Sequence, residues 1–191
     1  KKDNRIVLDL YNPRLPVHTV WDIWISDPTC ILFFQWDWHN IRIIDYYENV
    51  NKWLPCYKEQ LSLKNYKYGQ YYMPFDIAVK EWGSGLTRVE QMQEMFWWEA
   101  VEQVKRVKVQ DWINAARTLF PKMVFDSLME GFLNKLSLFQ PIINKDGSPT
   151  DKPEHNDLAD TIRYLAMAYN QFIEPTGTEE IITYIDYDEF I

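Results

Sequence analysis

Apolar residues in the N-terminal part of the chain come in short runs that polar turns separate. The runs VHTVWDIWIS (17–26), TCILFFQWD (29–37) and NIRIIDYYE (40–48) are rich in β-branched and aromatic residues, which favour strands. The links between them, at DP and DWHN, are short enough for hairpins. The pattern therefore predicts three antiparallel strands after an extended opening, YNPRLP, whose two prolines disfavour a helix.

The rest of the chain alternates between helix-like and strand-like patterns. Further strands are predicted at 69–76, 101–109 and 123–126, and helices at 51–63, after Thr87, at 111–120, at 127–139 and at 155–172. Thr87 has Glu90 three positions later, the signature of a capping box. Hairpin-linked strands followed by this alternation predict an α/β fold, a mixed β-sheet covered by helices.

Composition narrows the class of protein. The 191 residues suit one domain, and 47% hydrophobic residues against 25% charged residues predict a folded chain. A net charge of -8 argues against a broad basic face for nucleic acid, although KRVKVQDWINAARTLFPK is locally basic. No run approaches the ~20 apolar residues of a membrane span, and KKDNRIVLDL lacks a signal-peptide core, so we expect a cytoplasmic protein and no membrane partner.

Asp22 lies in the middle of the apolar run WDIWISDP. Val20 and Trp24 share its side of the predicted strand and Trp21 and Ile23 take the other, which is typical of a strand inside a sheet. An ionised carboxylate in that environment costs several kcal/mol unless it is paired or binds a cation. The sequence therefore predicts that something compensates the charge of Asp22.

Other acids stand in comparable places. Asp76 closes the predicted strand YYMPFD, and Asp157 and Asp160 share one face of the C-terminal helix. Carboxylate oxygens are preferred ligands of Mg²⁺ and Mn²⁺, and two such ions about 4 Å apart can hold a phosphodiester for attack by water. Structural alternatives stay open: Asp76 as a helix cap, Asp157 as a first-turn acid and Asp27 as a turn residue.

Other chemistries find no support in the sequence. GSGLTR has neither the spacing nor the lysine of a phosphate loop, and no GxSxG elbow is present. The three histidines do not form a metal-ligand spacing. Asp45 and Glu48 end a predicted strand, where we expect them to face solvent or to support a nearby site.

The order and spacing of several segments resemble the C-terminal nuclease domain of the large terminase subunit of tailed bacteriophages. The resemblance runs from about Asn12 to Asn170 and is carried by NPRLPVHTVWDIWISDPTCILFF, IRIIDYYEN, YYMPFDIAVKEWGSGLTRVEQM, INAARTLFPKMVFD and KPEHNDLADTIRYLAMA. It implies a ribonuclease-H-like fold, in which three antiparallel strands are followed by parallel ones. A related integrase or Holliday-junction resolvase would share the acids but not NPRLPVHTVWDI and IRIIDYYEN.

The resemblance also implies which residues act. Asp22, Asp76 and Asp160 match the three catalytic, metal-binding aspartates, Asp157 matches an accessory ligand, and Asp27 matches a further acid near the site. The cofactors would be two Mg²⁺ or Mn²⁺ ions. The chain departs from the family at two positions beside the implied ligands, where Trp24 replaces a small residue and Phe75 replaces a histidine.

The implied function is an endonuclease that cuts concatemeric double-stranded viral DNA during genome packaging in the host cytoplasm. The implied partners are DNA, an ATPase domain, the small terminase subunit and the portal. Five basic residues are candidates for phosphate contacts, and for each of them the alternative is an ordinary solvent-exposed charge. They are Lys80, Arg88, Lys105, Arg106 and Lys108.

We expect a linker over 1–15, the nuclease domain over 16–171 and an acidic tail over 172–191, in which ITYIDYDEF is an edge strand or binds a partner. The alternative function is a non-catalytic module that guides DNA or docks the portal.

Overall fold

The computed structural model describes residues 5–23, 28–78, 85–96, 100–137 and 157–173, with 109, 110 and 157 described by backbone alone. Several predictions lie outside the described residues. They concern Trp24, Asp27, Lys80 and the tail segment ITYIDYDEF.

Within these described residues, seven strands form one mixed sheet with the order β1-β7-β4-β3-β2-β5-β6. The strands are β1 Ile6–Val7, β2 Val17–Asp22, β3 Thr29–Trp36, β4 Ile41–Asn49, β5 Tyr68–Met73, β6 Val101–Gln103 and β7 Met123–Asp126. The predicted hairpins are confirmed, because β2 pairs antiparallel with β3 and β3 pairs antiparallel with β4. The later strands add parallel pairs, with β5 beside β2, β6 beside β5 and β7 beside β4.

Helices cover this sheet, as the sequence predicts. They are α1 Leu54–Leu63, α2 Arg88–Met95, α3 Val109–Leu119, α4 Glu130–Ser137 and α5 Asp157–Ala168, which continues as a π-helical turn at Tyr169–Ile173. The predicted capping box is present, since the Thr87 hydroxyl accepts the N–H of Glu90 and the Glu90 carboxylate accepts the N–H of Thr87. Among the described residues, no helix is long and apolar enough to cross a membrane.

The two faces of the sheet bury separate hydrophobic clusters. Val20 on β2 belongs to the cluster that includes Leu158, Ile162 and Leu165 of α5. Trp21 belongs to the opposite cluster, with Tyr57 of α1 and Met92 of α2. Because side chains alternate along a strand, Asp22 lies on the same face as Val20, beneath α5. This confirms the prediction that β2 is a strand inside the sheet, apolar on both faces.

The strands predicted at 69–76 and 101–109 end earlier than the sequence suggests. The strand predicted at 69–76 ends at Met73, because Pro74 has no N–H for the ladder, and Asp76 lies in the 3₁₀ turn Phe75–Ala78. The strand predicted at 101–109 ends at Gln103, the partner of Met73, so its pairing stops where β5 stops. Asp76 is therefore a turn residue that follows a strand, and not the last residue of the strand itself.

The segment in front of residue 16 is part of the sheet. Ile6 and Val7 pair parallel with Phe125 and Asp126, and Leu10 is 4% exposed. The carboxylate of Asp126 accepts the N–H of Leu10 at 2.7 Å. The prediction of a linker over 1–15 did not anticipate these contacts, because two paired residues give no periodic signal.

Candidate metal centre

Parallel pairing brings Asp22 and Asp76 to the same end of the sheet, where β2 and β5 have their C-terminal ends. Val20 of β2 pairs with Tyr72 of β5, so both strands reach their C-terminal ends side by side. Asp22 is the last residue of β2, and Asp76 follows β5 in the 3₁₀ turn. Asp22 is only 1% exposed, whereas Asp76 is half-buried. This end of the sheet therefore presents one deeply buried carboxylate and one that solvent can reach.

Helix α5 contributes the third predicted carboxylate. It packs across β2, and its apolar stripe of Leu158, Ile162 and Leu165 holds it on the sheet. Asp160, on the first turns of this helix, is 4% exposed. Two buried acids on neighbouring elements are costly unless cations compensate them. Asp157 begins the helix, and its side chain is not described.

The phenol of Tyr164 lies in the electrostatic environment of two of the predicted acids. Burial raises the pKa of Tyr164, and the negative charges of Asp76 and then Asp22 raise it further. A phenolate beside these carboxylates is disfavoured, so Tyr164 stays a neutral hydrogen-bond donor at physiological pH. One residue of α5 thus lies within electrostatic reach of Asp22 at the end of β2 and of Asp76 in the turn after β5.

Arg163 lies beside Asp160 in the candidate centre, and the sequence analysis did not predict it. Its Nη2 atom forms an ion pair with Oδ1 of Asp160, one turn earlier on α5. Burial lowers the pKa of Arg163, while the charges of Tyr164 and Asp22 act in the opposite direction. The available signal was the spacing, because residues three apart face each other on a helix.

Phe75 occupies the position where the resemblance implies a histidine. The centroid of its ring lies 6.2 Å from that of Tyr164 and 5.2 Å from the guanidinium carbon of Arg106. Its carbonyl accepts a 2.6 Å hydrogen bond from Nε2 of Gln103. Phe75 thus contacts both Tyr164 of α5 and a cation, and as an apolar side chain it offers no metal ligand.

The predicted phosphate contacts fall in two places. Lys105, Arg106 and Lys108 lie in the exposed segment between β6 and α3, which Gln171 fixes by accepting the N–H of Lys105 at 2.8 Å. Arg88 is half-buried at the start of α2, a helix that packs against the turn carrying Asp76. Four of the five candidates therefore lie on elements adjoining the candidate centre, and Lys80 is outside the described residues.

The chemistry of the donors fits Mg²⁺ or Mn²⁺, since all three predicted ligands supply carboxylate oxygens. Among the described side chains, however, no three His, Cys, Asp or Glu residues lie close enough together to hold one ion. The side chains of Asp157 and Asp27 are not among those described. The assignment of Asp22, Asp76, Asp160, Asp157 and Asp27 to a metal site therefore stays a prediction.

Other acids have structural roles elsewhere. Asp45 forms an ion pair with Lys64, and Glu48 with Lys135. Asp126 is as buried as Asp160, at 4% exposure, but its oxygens accept the N–H groups of Leu10 at 2.7 Å and Leu128 at 2.9 Å. Backbone donors thus compensate Asp126, which makes it a matched reference for the buried acids of the candidate centre.

Known structures share this arrangement of strands and helices. The large terminase of a thermophilic bacteriophage superposes with a TM-score of 0.66 at 14% identity, over 91% of this chain and 43% of that chain. The P22 large terminase nuclease domain gives 0.66 at 14% identity, over 89% and 90% of the two chains. The nuclease domain of the SPP1 large terminase with bound Mn gives 0.61 at 15% identity, over 88% and 97%.

By sequence, no protein-family model and no curated protein matches the chain. The chain also spans less than half of the large terminase from the thermophilic bacteriophage, 43% of its length. At identities this low the likeness establishes the fold. The chain has the α/β, ribonuclease-H-like fold of large terminase nuclease domains.

Proposed function

We propose that this chain is a divalent-metal-dependent endonuclease that cuts double-stranded DNA, with Asp22, Asp76 and Asp160 as its metal ligands. The observation that carries the proposal is the pair of buried carboxylates, Asp22 at 1% exposure at the end of β2 and Asp160 at 4% exposure on α5, the helix that packs across β2. The fold supports it, because the similar P22 and SPP1 domains are nucleases and the latter contains Mn.

Each aspartate has a distinct part in this proposal. Asp22 and Asp160 are buried, so their charges are weakly screened and bind a cation strongly. Asp76 is half-buried, so it is the ligand that an approaching phosphodiester would meet. Asp157 and Asp27 would be accessory ligands. When bound, two Mg²⁺ or Mn²⁺ ions would activate water and stabilise the charge that develops on the phosphate and leaving oxygen.

The basic segment between β6 and α3 would hold the DNA. Arg106 lies over Phe75, the neighbour of Asp76, and Lys105 and Lys108 are exposed beside it. We assign phosphate contacts to these three residues, to Arg88 and to Lys80. Contacts of this kind carry no sequence information, so cleavage would have little sequence preference and would weaken with salt.

The substrate we propose is concatemeric viral DNA, cut during genome packaging in the host cytoplasm. The protein of similar fold from the thermophilic bacteriophage is a large terminase. By the same resemblance, we propose that this chain works with an ATPase domain, a small terminase subunit and a portal.

Replacement of Asp22 tests the proposed site. Asp22→Asn keeps the shape of the side chain and removes its charge, so the fold should survive while Mn²⁺-dependent nicking of plasmid DNA falls more than about 100-fold. Asp76→Asn and Asp160→Asn should lower Mn²⁺-dependent nicking in the same way. Initial nicking rates across a Mn²⁺ titration measure the effect.

Asp126→Asn is the matched control, because it removes an equally buried carboxylate whose partners are backbone N–H groups. It should lower the melting temperature and leave the Mn²⁺-dependent nicking rate of the folded protein near that of the wild type. Nicking by Asp22→Asn at the wild-type rate would contradict the assignment.

A non-catalytic DNA-guiding or portal-docking module remains the second candidate. Two observations favour it. Among the described side chains, no three potential metal ligands lie around one point, and the apolar ring of Phe75 stands next to Asp76, where the resemblance implies a histidine. A module of this class predicts no Mn²⁺-dependent rise in melting temperature, whereas ions that bind the native state raise it by mass action.

A further inference from the structure

Arg163 is held on two sides. Its guanidinium carbon lies 4.0 Å from the ring centroid of Trp112 on α3, and its Nη2 atom pairs with Asp160. The side chain of Arg163 is 20% exposed and that of Asp160 is 5% exposed. A planar guanidinium can stack its face on an indole and bind a carboxylate with its edge at the same time.

The charge of Arg163 reaches both buried acids of the candidate centre. It pairs directly with Asp160, and it lies within electrostatic reach of Asp22 at the end of β2. Because both carboxylates have lost their hydration, a nearby cation stabilises the folded protein before any ion binds.

We propose that Arg163 is the internal counter-ion of the metal centre, a positioning residue that pairs with Asp160 in the ion-free protein and competes with the divalent cation for that carboxylate. This inference rests on the proposed function of Asp22 and Asp160. When Asp160 rotates to bind the ion, the guanidinium of Arg163 stays stacked on the indole of Trp112.

The competition has two opposite consequences. Removing the charge of Arg163 leaves the buried carboxylates without that compensation, so the ion-free protein becomes less stable. It also removes the competitor for Asp160, so a divalent ion binds more tightly. A residue that served only to pack α5 against α3 would produce the first effect and not the second.

The test uses the full chain and Mn²⁺ alone. Melting temperature is recorded without metal, and the Mn²⁺ concentration at half-maximal stabilisation is measured for the wild type, Arg163→Gln and Arg163→Lys. We expect Arg163→Gln to melt at a lower temperature without metal and to reach half-maximal stabilisation at about tenfold lower Mn²⁺. Arg163→Lys keeps the charge, and its Mn²⁺ midpoint should stay close to that of the wild type.

Trp112→Leu provides an independent route if Arg163→Gln does not fold. It keeps the arginine charge but removes the surface on which the guanidinium stacks, so the arginine holds Asp160 less firmly. We expect its Mn²⁺ midpoint to fall by about threefold, a smaller change in the same direction as in Arg163→Gln.

The outcomes separate this inference from the function on which it rests. A wild type that Mn²⁺ does not stabilise would contradict the metal centre itself, and this inference with it. If Mn²⁺ stabilises the wild type but the midpoint of Arg163→Gln is unchanged or higher, the centre stands and the counter-ion role is wrong. The role is equally wrong if Arg163→Lys shifts the midpoint as much as Arg163→Gln does.

Discussion

His18 shows how strongly a single position is constrained in β2. Its Nδ1 atom accepts the N–H of Gln70 at 3.0 Å, and its ring lies 5.5 Å from that of Phe34. A Cβ on Gly69 would come within 2.7 Å of Cε1 of His18, so the neighbouring strand must carry glycine there. His18 is thus a packed, neutral imidazole, in agreement with the absence of a metal-ligand spacing among the histidines.

Burial of His18 predicts that stability depends on pH. Burial lowers the pKa of His18 from 6.5 to about 4, so between these values the unfolded chain binds a proton that the folded chain does not. This contribution is complete above about pH 6.5 and is lost progressively as pH falls to about 4. Denaturant unfolding at about pH 7 and about pH 4.5 should show a loss of roughly 2–3 kcal/mol from this residue.

His18→Gln is the control, because glutamine retains an acceptor and does not titrate. The variant is expected to lose less stability over the same pH interval, and the difference from the wild type isolates His18. Equal losses in both proteins would show that other groups account for the acid sensitivity.

Residue patterns pointed to the acids of the candidate centre more clearly than to the cation beside them. Asp22 was recognisable because an acid within an apolar strand needs compensation, and the structure buries it at 1% exposure. Arg163 was missed, because an arginine among the polar residues of an amphipathic helix has the same pattern whether it faces solvent or a buried carboxylate. Its role depends on Trp112, which tertiary packing brings from α3.

At the scale of elements, the N-terminal segment is the clearest difference between expectation and structure. Besides its pairing with β7, it places Leu10 in a hydrophobic cluster, and Arg5 donates a hydrogen bond to the carbonyl of Phe120 at 2.7 Å. Whether residue 15 is a domain boundary stays a prediction, but the segment before it contributes to the core.

Two leucines of this segment test its role. Leu10 is 4% exposed and Leu8 is 70% exposed. Leu10→Ala should lower the free energy of unfolding by about 2–4 kcal/mol, whereas Leu8→Ala should stay within about 0.5 kcal/mol of the wild type. Equally small losses in both variants, measured by denaturant unfolding, would mean that the segment behaves as a linker.

The types of the elements were predictable where long segments carried a consistent period, whereas the ends of the strands were not. The capping box at Thr87 located the start of α2, because cap chemistry is local. The end of β6 was not visible in VEQVKRVKV, since the alternation continues past Gln103 while the partner strand β5 stops at Met73. Strand ends depend on a second strand, which no single segment of sequence contains.

At the scale of the whole molecule, the sheet order explains how distant residues meet. Antiparallel hairpins place β2 inside the sheet, and the parallel strand β5 then brings Asp76 to the end where Asp22 lies. Helix α5 crosses β2 and adds Asp160 and Arg163. That these acids form one metal site stays a prediction of the resemblance, whereas hydrophobic periodicity alone predicted only a mixed sheet covered by helices.

Crystals of the chain grown or soaked with Mn²⁺ test the central claim most directly, because anomalous scattering locates the ions without any assumption about activity. The account predicts anomalous peaks within coordination distance, about 2.0–2.2 Å, of carboxylate oxygens of Asp22, Asp76 and Asp160, with Arg163 turned away from Asp160. Anomalous density confined to other acids at saturating Mn²⁺, with the Arg163–Asp160 pair intact, would contradict it.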